Sequence, residues 1–184
     1  MKMMYHTERL DLQVLNASAY KKVLRFYEEN KLHFEPWEAK RTKTFYTNQY
    51  HEALLDAEYN QILKGNLLRL YVFLKENKEE IIGTVSLNNI QRGPFQTCTI
   101  GYKVHRKFCN QGIGKEMIQK ALKIALDDLK LHRIEALVHP LNILSIKLLE
   151  STHFEREGTA REAAFFCDSW QDMYRYAFIA DGRM

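Results

Sequence analysis

The chain opens with a short segment of alternating polarity that is followed by a segment of helical spacing. Leu10, Leu12 and Val14 alternate with polar residues, so residues 9–15 are predicted to form a half-buried strand. Asn16 is a suitable N-cap for a helix that ends near Asn30. The apolar stripe of this predicted helix consists of Tyr20, Val23, Leu24 and Tyr27. We therefore expect a strand and then an amphipathic helix.

An aromatic segment separates this helix from a second one. Pro36 disfavours a helical conformation at the residue before it, so residues 32–38 are predicted to form a loop. Phe34 and Trp37 lie in this segment, and Glu38 follows them directly. Aromatic residues in such a loop either plug the hydrophobic core or line a pocket, and the sequence leaves both interpretations open.

A long helix and a hairpin follow. The helix is predicted over residues 42–64, with Gly65 and Asn66 as its stop signal. The face predicted to be buried is formed by Tyr46, Tyr50, Ala53, Leu54 and Ala57. Two apolar segments, 68–75 and 81–89, then flank a short polar stretch, which is typical of a β-hairpin.

The middle of the chain continues as an antiparallel meander before the spacing becomes helical again. A turn at residues 92–94 leads to a third strand over 97–104, which is rich in β-branched and aromatic residues. From Gly114 the spacing predicts a helix that reaches about residue 130. The apolar stripe of this helix is Met117, Ile118, Ala121, Leu122, Ala125 and Leu129. A further strand is predicted over 133–138.

The last part of the chain predicts a helix and a closing hairpin. Asn142 is expected to cap a helix that carries Ser145 in its first turn. The residues expected to face the core are Leu144, Leu148 and Leu149. Residues 154–158 are predicted to form a turn, and residues 158–179 are predicted to form two strands around a turn at 167–170.

Length and composition favour one globular domain over residues 1–184. The chain is 46% hydrophobic and 12% aromatic, which suits a sizeable core. It has neither an apolar run near 18 residues nor an apolar signal sequence, so we expect a cytoplasmic protein without membrane contact. Cys98, Cys109 and Cys167 are far apart and form no C-x-x-C pair, so neither a disulfide framework nor a metal site is expected. The net charge of +4 is mild, and both signs are interspersed, so direct nucleic-acid binding is not required.

Two glycines lie where the long helix begins. Gly112 and Gly114 would let the backbone approach a ligand, and the first N–H groups of the helix would then point at it. This arrangement favours a phosphate or pyrophosphate, and the alternative explanation is a close helix–strand packing contact. A P-loop would need a glycine in place of Cys109 and a hydroxyl in place of Glu116, and a dinucleotide fingerprint would need a glycine in place of Met117.

The chain resembles the GCN5-related N-acetyltransferases, abbreviated GNAT. Gly112 and Gly114 fit the motif [QR]-x-x-G-x-[GA] of that family, although Cys109 takes the place of Gln or Arg. The other similar segments are residues 7–12 (T-x-R-L-x-L), 33–38 (L-x-P-W-E), 142–145 (N-x-x-S), 153–158 (G-F-x-x-E-G, with His153 in place of the first Gly) and 170–172 (W-x-D). These segments resemble the branch that acetylates the N-termini of ribosomal proteins, in particular an N-terminal alanine.

The resemblance implies an α/β fold and acetyl coenzyme A (acetyl-CoA) as co-substrate. The expected fold has a central, mostly antiparallel mixed sheet of about seven strands, flanked by about four helices, with a splayed strand pair for the cofactor. Main-chain groups of Tyr102, Lys103 and Val104 are expected to bond the cofactor, and one N–H would polarise the thioester carbonyl. The loop residues implied in cofactor binding are Cys109, Asn110, Gln111, Gly112, Ile113, Gly114 and Lys115, together with Asn142.

The resemblance also implies candidate catalytic residues. Many relatives protonate the departing thiolate with a tyrosine at the position where this chain has Leu149, and the ribosomal branch implies Ser145 as the substitute. The alternative is that the Ser145 hydroxyl only satisfies the first turn of its helix. Glu162 and Glu38 are candidates to hold the ammonium group or relay its proton, and each has the alternative of being a surface carboxylate.

The acceptor implied by the resemblance is a primary amine, most readily the N-terminal α-amine of a protein. Phe34, Trp37 and Glu38 are the expected acceptor-binding residues. The alternatives are a small amine, such as a polyamine, an antibiotic or an amino acid, and a module that binds acetyl-CoA with reduced turnover. A basic nucleic-acid binder is a more distant alternative, and the resemblance leaves room for a homodimer.

Overall fold

The computed structural model describes residues 2–180, which form an eight-stranded mixed sheet with helices on both faces. The strands are β1 Met4–His6, β2 Leu10–Gln13, β3 Leu68–Leu74, β4 Gly83–Gln91, β5 Thr97–Val104, β6 Arg133–Val138, β7 Glu155–Phe166 and β8 Ser169–Ile179. Their order in the sheet is β1-β2-β3-β4-β5-β6-β8-β7. The fold predicted from the sequence is confirmed, with β1 as a strand that the sequence analysis does not predict.

Five α-helices connect and cover these strands. They are α1 Tyr20–Glu29, α2 Lys31–Phe34, α3 Asn48–Leu63, α4 Ile113–Lys123 and α5 Ile143–Ser151. The helix α4 continues as a π-helical turn over Ile124–Asp128, so the helical region reaches nearly as far as predicted. Among residues 2–180, none of these helices is both long and apolar enough to cross a membrane.

The strands β5 and β6 form the parallel pair of the sheet, because the crossover through α4 returns the chain in the same direction. They pair only where Thr97, Cys98 and Thr99 lie opposite residues 133–135. The remainder of β5 is paired on its other side with β4 but not with β6. The two strands therefore splay apart, as the sequence analysis expects.

Two hydrophobic clusters lie on opposite faces of the sheet. The alternation of side chains along β3 sends Leu70 and Val72 into a cluster with α4, and Tyr71 and Phe73 into a second cluster with α1 and α3. The α4 face is the one predicted, since Met117 and Ile118 are fully buried. The two faces of the same strands therefore support two different helical layers.

The predicted buried face of α3 is wrong. Tyr50, Ala53 and Ala57 are exposed, and the buried stripe is instead His51, Leu55, Glu58 and Ile62. The reason is that two polar residues are buried in this layer. The Glu58 carboxylate accepts a hydrogen bond from Tyr71, and the ring of His51 stacks on Tyr27. A stripe that contains such residues does not stand out as apolar.

Three local predictions are also wrong. The loop at 32–38 is helical, because Pro36 lies in the first residues of a 3-10 turn, where it needs no N–H. The turn at 154–158 is mostly part of β7, which pairs with β8 from Glu155 onward. Leu144 is 57% exposed and lies on the open side of α5, whereas Leu149 of the same helix is fully buried.

Candidate active site

The splayed strands open a cavity of about 770 Å³ that extends from the start of α4 to the segment around α2. Its lining comes from both faces of the sheet and from the gap between β5 and β6. Four cationic side chains line it: Arg69, Lys103, Lys115 and Lys147. Within residues 2–180, no aspartate or glutamate lines this cavity. We call the part near α4 and α5 the cofactor end and the part near α2 the acceptor end.

At the cofactor end, Gly112 is the N-cap of α4. Its φ of 78° lies in the left-handed region, which a glycine adopts without strain. The Gly112 carbonyl accepts the N–H of Glu116, while the earlier N–H groups of the helix have no intrahelical partner. The partial positive charge of these groups favours an anion at this end.

Gly114 has a different reason to be a glycine. A Cβ atom at this position would lie 2.9 Å from Leu148 Cδ2 and 3.4 Å from Val104 Cγ2. The missing side chain therefore lets α4 pack closely against α5 and β5. The packing explanation therefore applies to Gly114, whereas phosphate binding at the Gly112 turn stays a prediction.

The one acidic residue in the first turn of α4, Glu116, is neutralised by residues of the β1–β2 loop. Arg9 Nε lies 2.7 Å from Glu116 Oε2, and the Thr7 hydroxyl also bonds the carboxylate. Burial alone would raise the pKa of Glu116, but the hydrogen bonds from Thr7 and Arg9 lower it below its ordinary value. Arg9 also donates a hydrogen bond to Gln111 O at 3.0 Å. Arg9 belongs to a motif quoted above, but its position beside the start of α4 was not predicted.

The predicted loop residues divide into two groups. Cys109, Asn110 and Lys115 line the cavity together with both glycines. Gln111 and Ile113 do not, because the Gln111 side chain donates to Lys107 O and Ile113 is buried in the core. Cys109 Sγ lies 3.6 Å from His33 Nε2, a contact between two residues of the cavity wall.

Between the two ends, two hydroxyl groups lie together. The hydroxyl oxygens of Tyr102 and Ser145 are 2.6 Å apart, and Asn142 Oδ1 accepts the N–H of Ser145 at 3.1 Å. Burial raises the pKa of Tyr102 to about 12, although the hydrogen bond with Ser145 lowers it. The Tyr102 hydroxyl therefore keeps its proton at neutral pH. Sequence reasoning missed this hydroxyl, because it considered only the main chain of Tyr102.

At the acceptor end, the two aromatic residues predicted to bind substrate have different environments. Phe34 is only 7% exposed and belongs to the cluster with α1 and α3, yet its edge also lines the cavity. Trp37 is 37% exposed, and its ring lies 6.0 Å from the ring of His139. Phe34 thus fills both roles considered from the sequence, whereas Trp37 forms part of the cavity wall.

His139 lies in the cavity wall, and both of its ring nitrogens are in hydrogen-bond contact with neighbouring residues. Its Nδ1 accepts the N–H of Leu141, and its Nε2 lies 3.3 Å from Gln171 Oε1. The Gln171 amide nitrogen donates to Ser169 Oγ, which directs Oε1 toward the histidine. These hydrogen bonds assign the proton of the neutral ring to Nε2, so neither nitrogen retains a free lone pair.

The two predicted carboxylates are not in the cavity wall. Glu38 Oε2 lies 2.6 Å from Lys103 Nζ and 2.9 Å from Arg41 Nη2, directly behind the lining. Glu162 is exposed at a bulge of β7, where its own N–H donates to Asp172 Oδ1. Proton transfer by either carboxylate stays a prediction, and the contacts of Glu38 give it a role in holding Lys103.

Comparison with known proteins agrees with this geometry. The family model described as an acetyltransferase (GNAT) domain matches residues 9–155. The probable N-acetyltransferase YjcK of Bacillus subtilis is 34% identical over 149 residues, which cover 81% of this chain and 82% of that protein. The [ribosomal protein uS5]-alanine N-acetyltransferase of Escherichia coli is 27% identical over 166 residues, which cover 90% and 85% of the two chains.

A solved structure shows the same architecture. The crystal structure of ribosomal-protein-S5-alanine acetyltransferase from Vibrio fischeri superimposes with a TM-score of 0.91 at 26% sequence identity. The superposition covers 98% of each chain. The fold similarity therefore extends over nearly the whole described structure, including both ends of the cavity.

Proposed function

Because the chain belongs to the acetyltransferase (GNAT) family and is therefore an N-acetyltransferase that uses acetyl-CoA, we propose that its acceptor is the N-terminal α-amine of a protein. The observation that carries this proposal is the charge of the cavity, whose lining within residues 2–180 includes four cationic and no acidic side chains. Two relatives are named as acetyltransferases of a ribosomal-protein alanine, which supports a ribosomal protein as the acceptor.

The charge of the cavity argues against polycationic small acceptors. A polyamine or an aminoglycoside carries several ammonium groups, and a site selective for it needs carboxylates to pair with them. Arg69 and Lys103 at the acceptor end would instead repel the distal ammonium groups of such a molecule. A peptide N-terminus presents only one amine to the reaction, and the rest of the peptide extends toward the opening.

An α-amine also suits a cavity whose wall, as far as residues 2–180 form it, contains no carboxylate base. Its pKa is about 8, so roughly a tenth of the molecules are neutral at pH 7, whereas a lysine side chain with a pKa of about 10.4 is almost wholly protonated. Nearby cations such as Lys103 disfavour the ammonium form further. In this proposal the acceptor therefore loses its proton to water before it reacts.

The residues of the cofactor end fit the phosphates and the pantetheine arm of acetyl-CoA. When bound, acetyl-CoA supplies an activated acetyl thioester and a thiolate leaving group. The N–H groups at the start of α4, with Lys115 and Lys147 in the wall, would hold the phosphates. The main chain of Tyr102 to Val104, unpaired on the β6 side, would bond the amides of the arm. These groups orient the thioester for attack by the amine.

The pair of hydroxyls would deliver the proton to the departing thiolate. If Tyr102 donates to Ser145 Oγ, the Ser145 proton is free to point into the cavity. Tyr102 is suited to this role because its pKa of about 12 keeps it a donor throughout the neutral range. In this proposal Ser145 donates its proton to the departing thiolate and regains one from the attacking nitrogen, directly or through water, while Tyr102 positions and polarises it.

An acceptor panel tests this proposal. Release of free thiol from acetyl-CoA should be measured with peptides that begin with alanine or serine, with the same peptides blocked at the N-terminus, and with spermidine and an aminoglycoside. Rapid turnover of the free peptides and none of the blocked peptides is expected. Turnover of the small amines with no turnover of any peptide would overturn the α-amine proposal.

A further inference from the structure

The floor of the acceptor end is polar and lies on one face of three neighbouring strands. Lys103 pairs with Thr84 and Gly101 pairs with Ser86 across β5 and β4, and Arg69 of β3 lies opposite Ser86. These residues all line the cavity. Gly101 has no side chain to cover this surface, and a Cβ atom there would lie as close as 3.3 Å to Ser86 Oγ. The floor at this position is therefore open. The open surface between Lys103 and Arg69 can therefore receive a substrate group.

The two cations of this floor are incompletely paired. Lys103 Nζ has three donors, and within residues 2–180 its hydrogen-bond acceptor is a single oxygen, Glu38 Oε2, which it shares with Arg41. Arg69 Nε lies 3.4 Å from Glu58 Oε1 but is buried without a hydrogen-bond partner among the described residues. Glu58 is itself shared, since it also accepts the hydroxyl of Tyr71.

The ion network behind the floor carries an excess of positive charge. Its ionised members are Arg41, Arg69 and Lys103 against Glu38 and Glu58, so three cations face two carboxylates. Burial is the largest cause of a lowered pKa for Lys103. Glu38 opposes this shift, and the nearby Arg41 and Arg69 add to it. These cations are half-buried, and an excess charge in such a place is costly unless a counter-charge is supplied. A carboxylate group of a substrate can supply this negative charge.

We propose that Arg69 and Lys103 form a subsite for a carboxylate that the acceptor carries within a few residues of its α-amine. This inference rests on the proposed function and names the class of peptide that the site prefers, which is an N-terminus followed closely by an acidic side chain. The carboxylate would lie over Gly101, where it can accept hydrogen bonds from Lys103 Nζ and the Arg69 guanidinium. Ser86 and Asn88 add neutral polar groups to the same surface.

A peptide series tests the subsite. Peptides that begin with alanine and carry glutamate, glutamine or lysine at position 2, 3 or 4 should be compared by kcat/KM. Each extended residue adds about 3.3 Å, so the three positions sample the distance from the amine to the floor. At the best position we expect glutamate to exceed glutamine about tenfold, as for one charged hydrogen bond, and lysine to be the poorest.

Two variants test whether Lys103 and Arg69 cause the preference for glutamate. Lys103→Met leaves Glu38 paired with Arg41, and the double variant Arg69→Gln with Glu58→Gln removes both members of the other pair. Lys43→Met is the matched control, because Lys43 is an exposed lysine of the neighbouring 3-10 turn. Affinity for acetyl-CoA and the thermal unfolding midpoint report whether each variant is folded.

The outcomes separate this inference from the proposed function. Loss of the glutamate preference in either variant, with the preference retained in Lys43→Met, supports the subsite. Equal kcat/KM values for the three peptide types overturn the subsite and leave α-amine acetylation intact, as does a preference that persists in both variants. Failure to acetylate any peptide overturns the proposed function itself.

Discussion

The two ends of the cavity are built from different parts of the polypeptide. At the cofactor end the chain offers main-chain groups, namely the first N–H groups of α4 and the unpaired edge of β5. At the acceptor end it offers side chains from separate elements, such as Trp37, Arg69, Lys103 and His139. The cofactor end therefore depends on backbone geometry, and the acceptor end depends on which side chains the elements carry.

This difference explains how one fold can serve many acceptors. A ligand held by main-chain groups is retained as long as the glycines and the strand splay are kept, because most other substitutions there leave the backbone unchanged. Where side chains hold the ligand, a single substitution can change which ligand the site binds. Substitutions at one end of the cavity should therefore weaken ligand binding at that end and leave binding at the other end unchanged. The following variants test this expectation.

The largest effect is expected at Ser145, which lies between the two ends. Ser145→Ala should lower kcat by about 10²-fold, the usual contribution of a positioned acid, because only the transition state loses the bond. Affinity for acetyl-CoA and KM for the peptide should stay near normal. Ser151→Ala is the matched control, since its hydroxyl also lies on α5 and in the cavity wall but, among residues 2–180, donates to Leu148 O rather than joining the Tyr102–Ser145 pair. A wild-type kcat for Ser145→Ala, when chemistry limits turnover, would leave water as the proton donor.

Tyr102→Phe should lower kcat by about tenfold, since it removes one hydrogen bond that positions Ser145. Combining it with Ser145→Ala should cause little further loss, because the two hydroxyls act as a unit. The kcat/KM of both enzymes should rise with pH toward the amine pKa of about 8, because the neutral amine is the reacting form. Tyr102, with a pKa of about 12, stays protonated over this range and adds no step to the wild-type profile. Fully additive losses in the double variant would show that Tyr102 acts independently of Ser145.

At the cofactor end, Gly112→Asp should weaken acetyl-CoA binding about fivefold more than Gly112→Asn. The two side chains have the same size, the same left-handed φ of 78° and the same neighbour, Arg9 Nη2 at 3.3 Å from the Cβ position. The difference between them therefore reports the charge placed at the start of α4 beside Arg9. Calorimetric titration with acetyl-CoA gives both dissociation constants. Equal affinities in two folded variants would mean that no phosphate binds at this helix start.

At the acceptor end, Trp37→Ala should raise the peptide KM about threefold, the value of one modest aromatic contact, and leave the dissociation constant of acetyl-CoA unchanged. Leu32→Ala is the control, because Leu32 lies on the same segment at 81% exposure and outside the cavity wall. Steady-state kinetics and a melting curve distinguish a role of Trp37 in acceptor binding from a role in packing. A lower melting temperature with a normal KM would make Trp37 a packing residue.

The cofactor end was largely predictable from the sequence because its signals are local. The strands at 97–104 and 133–138 were predicted with their observed bounds, and β-branched and aromatic residues mark the first of them. The cap of α5 by Asn142 was predicted from residue type and position alone. The distinction between Gly112 and Gly114 was not predictable, because the contact of Gly114 with Leu148 joins residues far apart in the chain.

The acceptor end, and the hydroxyl pair between the two ends, were less predictable because their contacts are long-range. Tyr102 and Ser145 are 43 residues apart, and the neighbourhood of Arg69 and Lys103 follows from the register of three strands. The buried face of α3 was missed for a similar reason, since Glu58 is buried only because Tyr71 and Arg69 partner it. Periodicity identifies apolar faces and cannot identify polar groups that tertiary partners satisfy.

The most direct test of α-amine acetylation is a competition within one molecule. A peptide with a free N-terminal alanine and one lysine should be incubated with the enzyme and acetyl-CoA at pH 7, and the modified nitrogen should be located by tandem mass spectrometry. The account predicts acetylation of the α-amine alone, because its neutral fraction exceeds that of the lysine side chain by about 10²-fold. Acetylation of the lysine with an unmodified N-terminus would contradict it.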